Sequence, residues 1–119
     1  MPSKSPARRL LDIVENAAFI ASYIDGLDEK AFRGDRMRRD AVERCLQRIS
    51  EAAVKLGGDA EMLLPSQPWK QIRSLGNVLR HGYDIVSVGE IWIMASEQAP
   101  QLAKDCASAL NALENKPQE

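Results

Sequence analysis

The sequence predicts an all-α protein, an up-and-down bundle of four main helices with a possible short extra one. Three observations carry that expectation. Apolar residues recur at 3-4-3-4 spacing over long stretches, as in Val42, Cys45, Ile49, Ala52 and Leu56. Gly and Pro fall where those patterns stop. No segment alternates with period two over a strand's length: Val78-Leu79 and Ile85-Val86 are short apolar pairs inside helical or turn contexts. At 119 residues the chain is long enough for one hydrophobic core and too short for two, so residues 1–119 are expected to form a single domain, with 1–5 and 115–119 as polar, mobile tails.

Each helix has a local reason to begin and end. Ser5-Pro6 resembles an N-cap followed by Pro in the first turn. From there Leu10, Ile13, Val14, Ala17, Ile20, Ala21 and Ile24 trace one face, and Asp25-Gly26 ends the helix. Residues 28–32 fit a short helical turn that tucks Phe32 inward. Gly34-Asp35 then offers a fresh start for a long second helix to about Leu56, closed by Gly57-Gly58. Residues 57–67 read as a loop with one turn of helix around Glu61, and Pro65 and Pro68 bracket the entry to a third helix, with Ser66 as its expected N-cap. Ser87-Val-Gly-Glu90 is a capping-box signature. It opens a fourth helix through Ile91, Trp92 and Ala95 that must kink or restart at Pro100 before a final stretch through Leu102, Cys106, Ala109 and Leu113.

Composition narrows the function. With 16 basic and 17 acidic residues the net charge is −1, so no global field draws in nucleic acid and any such contact must be local. Six arginines, Arg33, Arg36, Arg38, Arg39, Arg44 and Arg48, are interleaved with Asp35, Asp40 and Glu43. That pattern fits a solvated helix face with internal ion pairs, or a basic strip that guides RNA phosphates or meets an acidic partner. Cys45 and Cys106 are isolated mid-helix thiols, a usage expected of core fillers in a reducing cytoplasm. No apolar run reaches membrane length.

The informative stretch is Trp69-Lys-Gln-Ile-Arg-Ser-Leu-Gly-Asn-Val-Leu-Arg-His-Gly-Tyr83, which holds the single His of the chain. At about 100° per residue, Trp69, Ile72, Gly76, Leu79 and Tyr83 fall on one buried stripe. Arg73, Asn77, Arg80, His81 and Asp84 fall on the adjoining one. Two guanidinium groups, an amide, an imidazole and a carboxylate on one edge suit chemistry at a phosphodiester: His can take or give a proton near neutral pH, and Arg can hold the phosphate and neutralise developing charge. No Asp, Glu or His cluster has metal-ligand spacing, so such chemistry is expected to run without metal or other cofactor. Gly76, at the centre of the helix, costs about 1 kcal/mol relative to Ala. This points to close packing there by a partner helix or a second subunit.

A lone His on a helix flank is more often a surface or hydrogen-bonded residue; a family resemblance shifts that balance. The segment resembles the HepT-like group of HEPN domains, whose hallmark is Arg, four to six residues, then His, often continued as His-x-Tyr. His81-Gly82-Tyr83 matches the His-x-Tyr part, and Asn77 matches the polar residue that follows the motif Arg. Pro68-Trp69 before the motif, Ile91-Trp92 after it and the packing pattern beyond Pro100 extend the resemblance over most of the chain. The departure is Gly76, which stands where the motif Arg is usual; Arg73, one turn earlier, and Arg80, directly before the His, are the remaining candidates.

The resemblance implies the same helical bundle and an endoribonuclease toxin, acting on RNA and not DNA, that pairs with a minimal nucleotidyltransferase antitoxin. It implies a homodimer whose motif helices face one another, with catalytic roles for Arg73 or Arg80, Asn77 and His81, and Tyr83 as an acceptor of AMP from the antitoxin. The other reading is a catalytically degenerate helical module that binds a nucleotidyltransferase, with Arg80, His81 and Tyr83 as its docking surface.

Overall fold

The computed structural model describes residues 5–81 and 86–115. Among these the chain is helical, with no strand: α1 (Pro6–Ile24), α2 (Glu29–Arg33), α3 (Arg36–Leu56), α4 (Gly58–Leu63), α5 (Trp69–His81), α6 (Val88–Ile93), one π turn (Met94–Gln98) and α7 (Ala99–Glu114). It is the expected all-α bundle. α1 lies between α3 and α7, and α3 carries α5 on its other side.

Local chemistry sets most boundaries. The Ser5 hydroxyl accepts from the Arg8 N–H at 3.3 Å, Asp28 caps α2 through the Ala31 N–H at 2.8 Å, Asp35 caps α3 through the Arg38 N–H at 3.1 Å, and Ser87 caps α6 through the Glu90 N–H at 3.1 Å. Each cap satisfies a donor that the first turn leaves unpaired. α3 ends at Gly57, whose φ of 56° lies in the left-handed region that favours Gly. Gly58, expected to help close that helix, instead begins α4. Ser66 is not the cap of α5: the helix begins at Trp69, and its first backbone bond runs from the Ile72 N–H to the Pro68 carbonyl.

The core runs along the α1–α3–α7 contact. Leu10, Ile13, Ile20, Val42, Leu56 and Cys106 of these helices are buried, Phe32, Trp69 and Ile91 extend the core from α2, α5 and α6, and the Trp69 indole N–H donates to the Leu64 carbonyl at 2.8 Å, tying α5 to the chain that leads into it. Cys45 and Cys106 are both buried, unpaired thiols, as expected. At Pro100 the regular α-helix is interrupted: the Ala99 N–H closes a π turn on the Met94 carbonyl five residues back, and α7 begins at Ala99 with Pro100 in its first turn, where the missing N–H leaves no helical bond unmade.

The expected tails lie mostly outside the described residues, as do Gly82, Tyr83 and Asp84. No helix among the described residues is long and apolar enough to cross a membrane.

Candidate active site

Inside the seam between α5 and α3 a buried polar group ties the two backbones together. Ser50 is buried, and its hydroxyl donates to the Arg73 carbonyl and accepts from the Gly76 N–H, each at 2.9 Å. The close approach inferred from Gly76 is therefore real, and the neighbour is a helix of the same chain. A Cβ built at position 76 would lie 2.9 Å from Ser50 Oγ and 3.2 Å from Ser50 Cβ. The buried stripe of α5 is as expected where described, with Trp69, Gly76 and Leu79 inside and Ile72 half-buried.

The polar edge does not converge as the helical wheel suggests. Arg73 turns toward α4 and grips Glu61 with two bonds, at 3.1 and 2.5 Å. This hydrogen bonding holds the Glu61 carboxyl below its usual range and raises Arg73 further. Arg80 turns the other way, toward α3, where it meets Glu51 at 3.8 Å; Arg44 reaches the same carboxylate at 4.0 Å. Arg80 and Glu51 are each nearly half exposed, so this contact is long, hydrated and easily exchanged. Asn77 and His81 are exposed, with no hydrogen-bond partner among the described residues. Arg80, His81 and Asn77 thus stand open at the last turns of α5, while Arg73 is committed elsewhere.

Next to that end of α5, Leu79, Phe32, Val86, Val88 and Ile91 wall a recess of about 340 Å³ whose polar side is Arg39, Asp40 and Glu43. Arg39 Nε is covered without a partner. Burial raises the Glu43 carboxyl, the nearby Asp40 adds to the rise, and Arg39 opposes both. Among the described residues no group of three or more His, Cys, Asp or Glu is placed to hold a metal ion.

Sequence reasoning did not single out Ser50, Glu51 or Glu61. Ser50 left a signal, a polar residue at a core position beside Ile49 and Ala53. Glu61 left none, because its meeting with Arg73 depends on how the 64–68 turn sets α4 against α5.

A family model, Ribonuclease HepT-like, matches residues 13–109, a span that takes in α3, α5 and the whole site. The chain belongs to the HepT-like ribonuclease family. A Methanocaldococcus jannaschii protein described as "Putative RNase" is 31% identical over 96 residues, covering 81% of this chain and 88% of that protein. A second protein of that organism, under the same description, is 27% identical over 98% of this chain and 96% of its own length. A Thermococcus cleftensis protein named "Probable ribonuclease HepT" is 30% identical over 78% of this chain and 84% of its own. No solved structure matches the chain significantly. Within this HepT-like chain the His-x-Tyr segment begins on α5 at His81, whereas the position usual for the motif Arg is the glycine that α3 crowds.

Proposed function

We propose that this HepT-like protein is an endoribonuclease that cuts RNA without metal, with His81 as the proton-transfer group and Arg80 as the phosphate-steadying cation. The observation that carries this reading is the disposition of α5: its last turns hold His81, Arg80 and, one turn earlier, Asn77 exposed, while Arg73 is tied down by Glu61. An imidazole that takes the proton of a ribose 2′-hydroxyl lets that oxygen attack the adjacent phosphorus; the bond from phosphorus to the 5′-oxygen breaks, and the departing oxygen takes a proton. A guanidinium beside it offsets the charge that builds on the phosphoryl oxygens. Asn77 orients a neighbouring group.

One chain offers one imidazole, exposed among the described residues. A second copy facing it would supply the other acid–base group and close the cleft, so the active form in this reading is a homodimer. The remaining parts rest on the family resemblance: cytoplasmic action as a toxin, a minimal nucleotidyltransferase antitoxin as partner, and transfer of AMP to Tyr83, which would place charge and bulk beside His81 and exclude RNA.

The second reading has its own observation. Ser50 occupies the space that a side chain at position 76 would need, which suits a helical module that has given up the motif Arg and retained only its docking to a nucleotidyltransferase. The deciding experiment is cleavage of a defined RNA by the purified, AMP-free protein in EDTA, with His81→Ala and Arg80→Ala beside it. Cutting that survives EDTA and is lost in both variants supports the nuclease. A folded protein that cuts no faster than His81→Ala belongs to the second reading.

A further inference from the structure

The six arginines of residues 33–48 do not share one environment. Arg33 pairs with Glu29 at 3.3 Å, Arg36 with Asp40 at 3.7 Å and Arg38 with Asp35 at 2.6 Å, each within its own helix or cap. Arg39 is drawn into the recess beside Glu43. The first three are paired locally, and Arg39, without a close ion pair among the described residues, is half-buried in the recess. The other two are exposed: Arg44 touches Gln47 at 3.1 Å and reaches the shared Glu51 at 4.0 Å, and Arg48 has no ion-pair partner among the described residues.

Arg44, Arg48, Glu51 and Lys55 follow 4-3-4 spacing on α3, which places them along one stripe. The eleven helical rises from Arg44 to Lys55 make that stripe about 16 Å long, enough to face more than one consecutive phosphate. At Glu51 the stripe meets Arg80 of α5, one residue from His81. At its other side it borders a groove of about 170 Å³ between α1 and α3, lined by Arg9, Asp12, Asn16, Arg48, Glu51, Ala52 and Lys55. In that groove Arg9 balances Asp12 at 3.1 Å, while Asn16 Oδ1 is covered and lacks a donor.

We infer that the α3 stripe Arg44–Arg48–Lys55, with the α1–α3 groove beside it, is a track that holds the backbone of single-stranded RNA as it leaves the His81 site. The inference rests on the ribonuclease reading above. The stripe carries three cations and one acid, and that acid is shared between Arg44 and Arg80, so phosphates entering here can displace Glu51 from both guanidinium groups. In the groove Asn16 Oδ1 is covered and lacks a donor, so a turn of this side chain toward the groove would let it accept from a sugar hydroxyl. No aromatic ring lies among these residues, so the track grips phosphate and sugar and is indifferent to base identity.

The test uses the full chain with His81→Ala to prevent cleavage, and a short, mixed-sequence, fluorescein-labelled single-stranded RNA, followed by anisotropy over a range of salt concentrations. Each phosphate contact on a single strand contributes about 0.7 to the slope of log K against log salt. Adding Arg48→Gln and Lys55→Gln is expected to make that slope shallower by about 1.4 and to weaken binding equally across RNA sequences. Arg33→Gln with Arg36→Gln, which removes two locally paired cations, is expected to leave the slope unchanged. DNA of the same sequence is expected to bind more weakly than RNA, and Asn16→Ala to narrow that difference. An unchanged slope in the Arg48/Lys55 variant, alongside normal cleavage by the wild-type protein, would overturn the track and leave the nuclease reading standing. Absence of both RNA binding and cleavage would overturn both. Polyglutamate bound as tightly as RNA, with the same dependence on Arg48 and Lys55, would reassign the stripe to an acidic protein and sink the RNA inference.

Discussion

The hydroxyl of Ser50 sits 2.9 Å from the backbone nitrogen of Gly76, in the space that a side chain at position 76 would occupy. The missing motif Arg and the buried Ser are therefore one structural feature, because restoring the Arg requires Ser50 to yield. Gly76→Arg alone gains about 1 kcal/mol in helix propensity but must overpack the seam, at about 1–3 kcal/mol. The net expectation is a destabilised protein. Combined with Ser50→Gly, the Arg should be accommodated, with a coupling energy of about 1–2 kcal/mol in the double-mutant cycle and faster RNA cleavage than wild type. Urea denaturation of the four proteins measures the coupling; a Gly76→Arg single variant as stable as wild type would show that the two residues are not exclusive.

The two thiols are expected to be inert in the folded protein. Burial raises Cys45, and it pushes Cys106 up to about 12, with the neighbouring Asp105 adding to the rise. Since the thiolate is the reactive form, neither should react with a thiol-specific disulfide reagent at pH 8, and both should react together once the chain is unfolded. Prompt labelling of one thiol in the native protein would mean that its side of the core opens.

Helix limits were legible because they depend on neighbours in sequence. Ser5, Asp35 and Ser87 each cap the turn they precede, and Gly57 closes α3 through its own φ. The buried stripe of α5 was legible for the same reason: the 3.6-residue period fixes which way each Cβ points. It does not fix where the far end of an arginine goes. Arg73 and Arg80 leave the same edge of α5, yet one ends on Glu61 and the other on Glu51, because α4 and α3 present carboxylates on opposite sides. The π turn ahead of Pro100 was also out of reach, since the sequence says only that a regular α-helical bond is lost there, and the packing of α6 and α7 decides how the chain absorbs the loss.

Glu43 gives the recess beside α5 a dependence on pH. Burial raises its folded-state carboxyl above the unfolded value, so the folded protein favours the protonated form. The penalty is absent at acid pH, where both states are protonated. It grows as pH rises through the unfolded value and is complete above the folded one. Glu43→Gln, neutral at every pH, should therefore raise Tm at pH 7 and have a smaller effect near pH 3. An equal shift at both pH values would mean that packing, not charge, governs this position.

Arg73 and Arg80 are separated most cleanly by what each loses on truncation. Arg73 already spends its guanidinium on Glu61, and that pair depends on an ionised Glu61 whose carboxyl the contact holds low. Stability contributed this way is present above the ordinary Glu range and is lost as pH falls through the lowered value. Arg73→Ala should thus lower Tm modestly at pH 7 and very little near pH 3, with RNA cleavage within about twofold of wild type. Arg80 holds Glu51 only at 3.8 Å and with nearly half its surface exposed, so Arg80→Ala should leave Tm within the experimental spread of wild type while cleavage falls by about 10²-fold or more, the scale for losing a group that offsets developing charge. Cleavage rates and thermal melts of the two variants, measured side by side, decide it. Should Arg73→Ala be the variant that loses cleavage, the guanidinium must leave Glu61 when RNA binds, and the steadying cation would be Arg73.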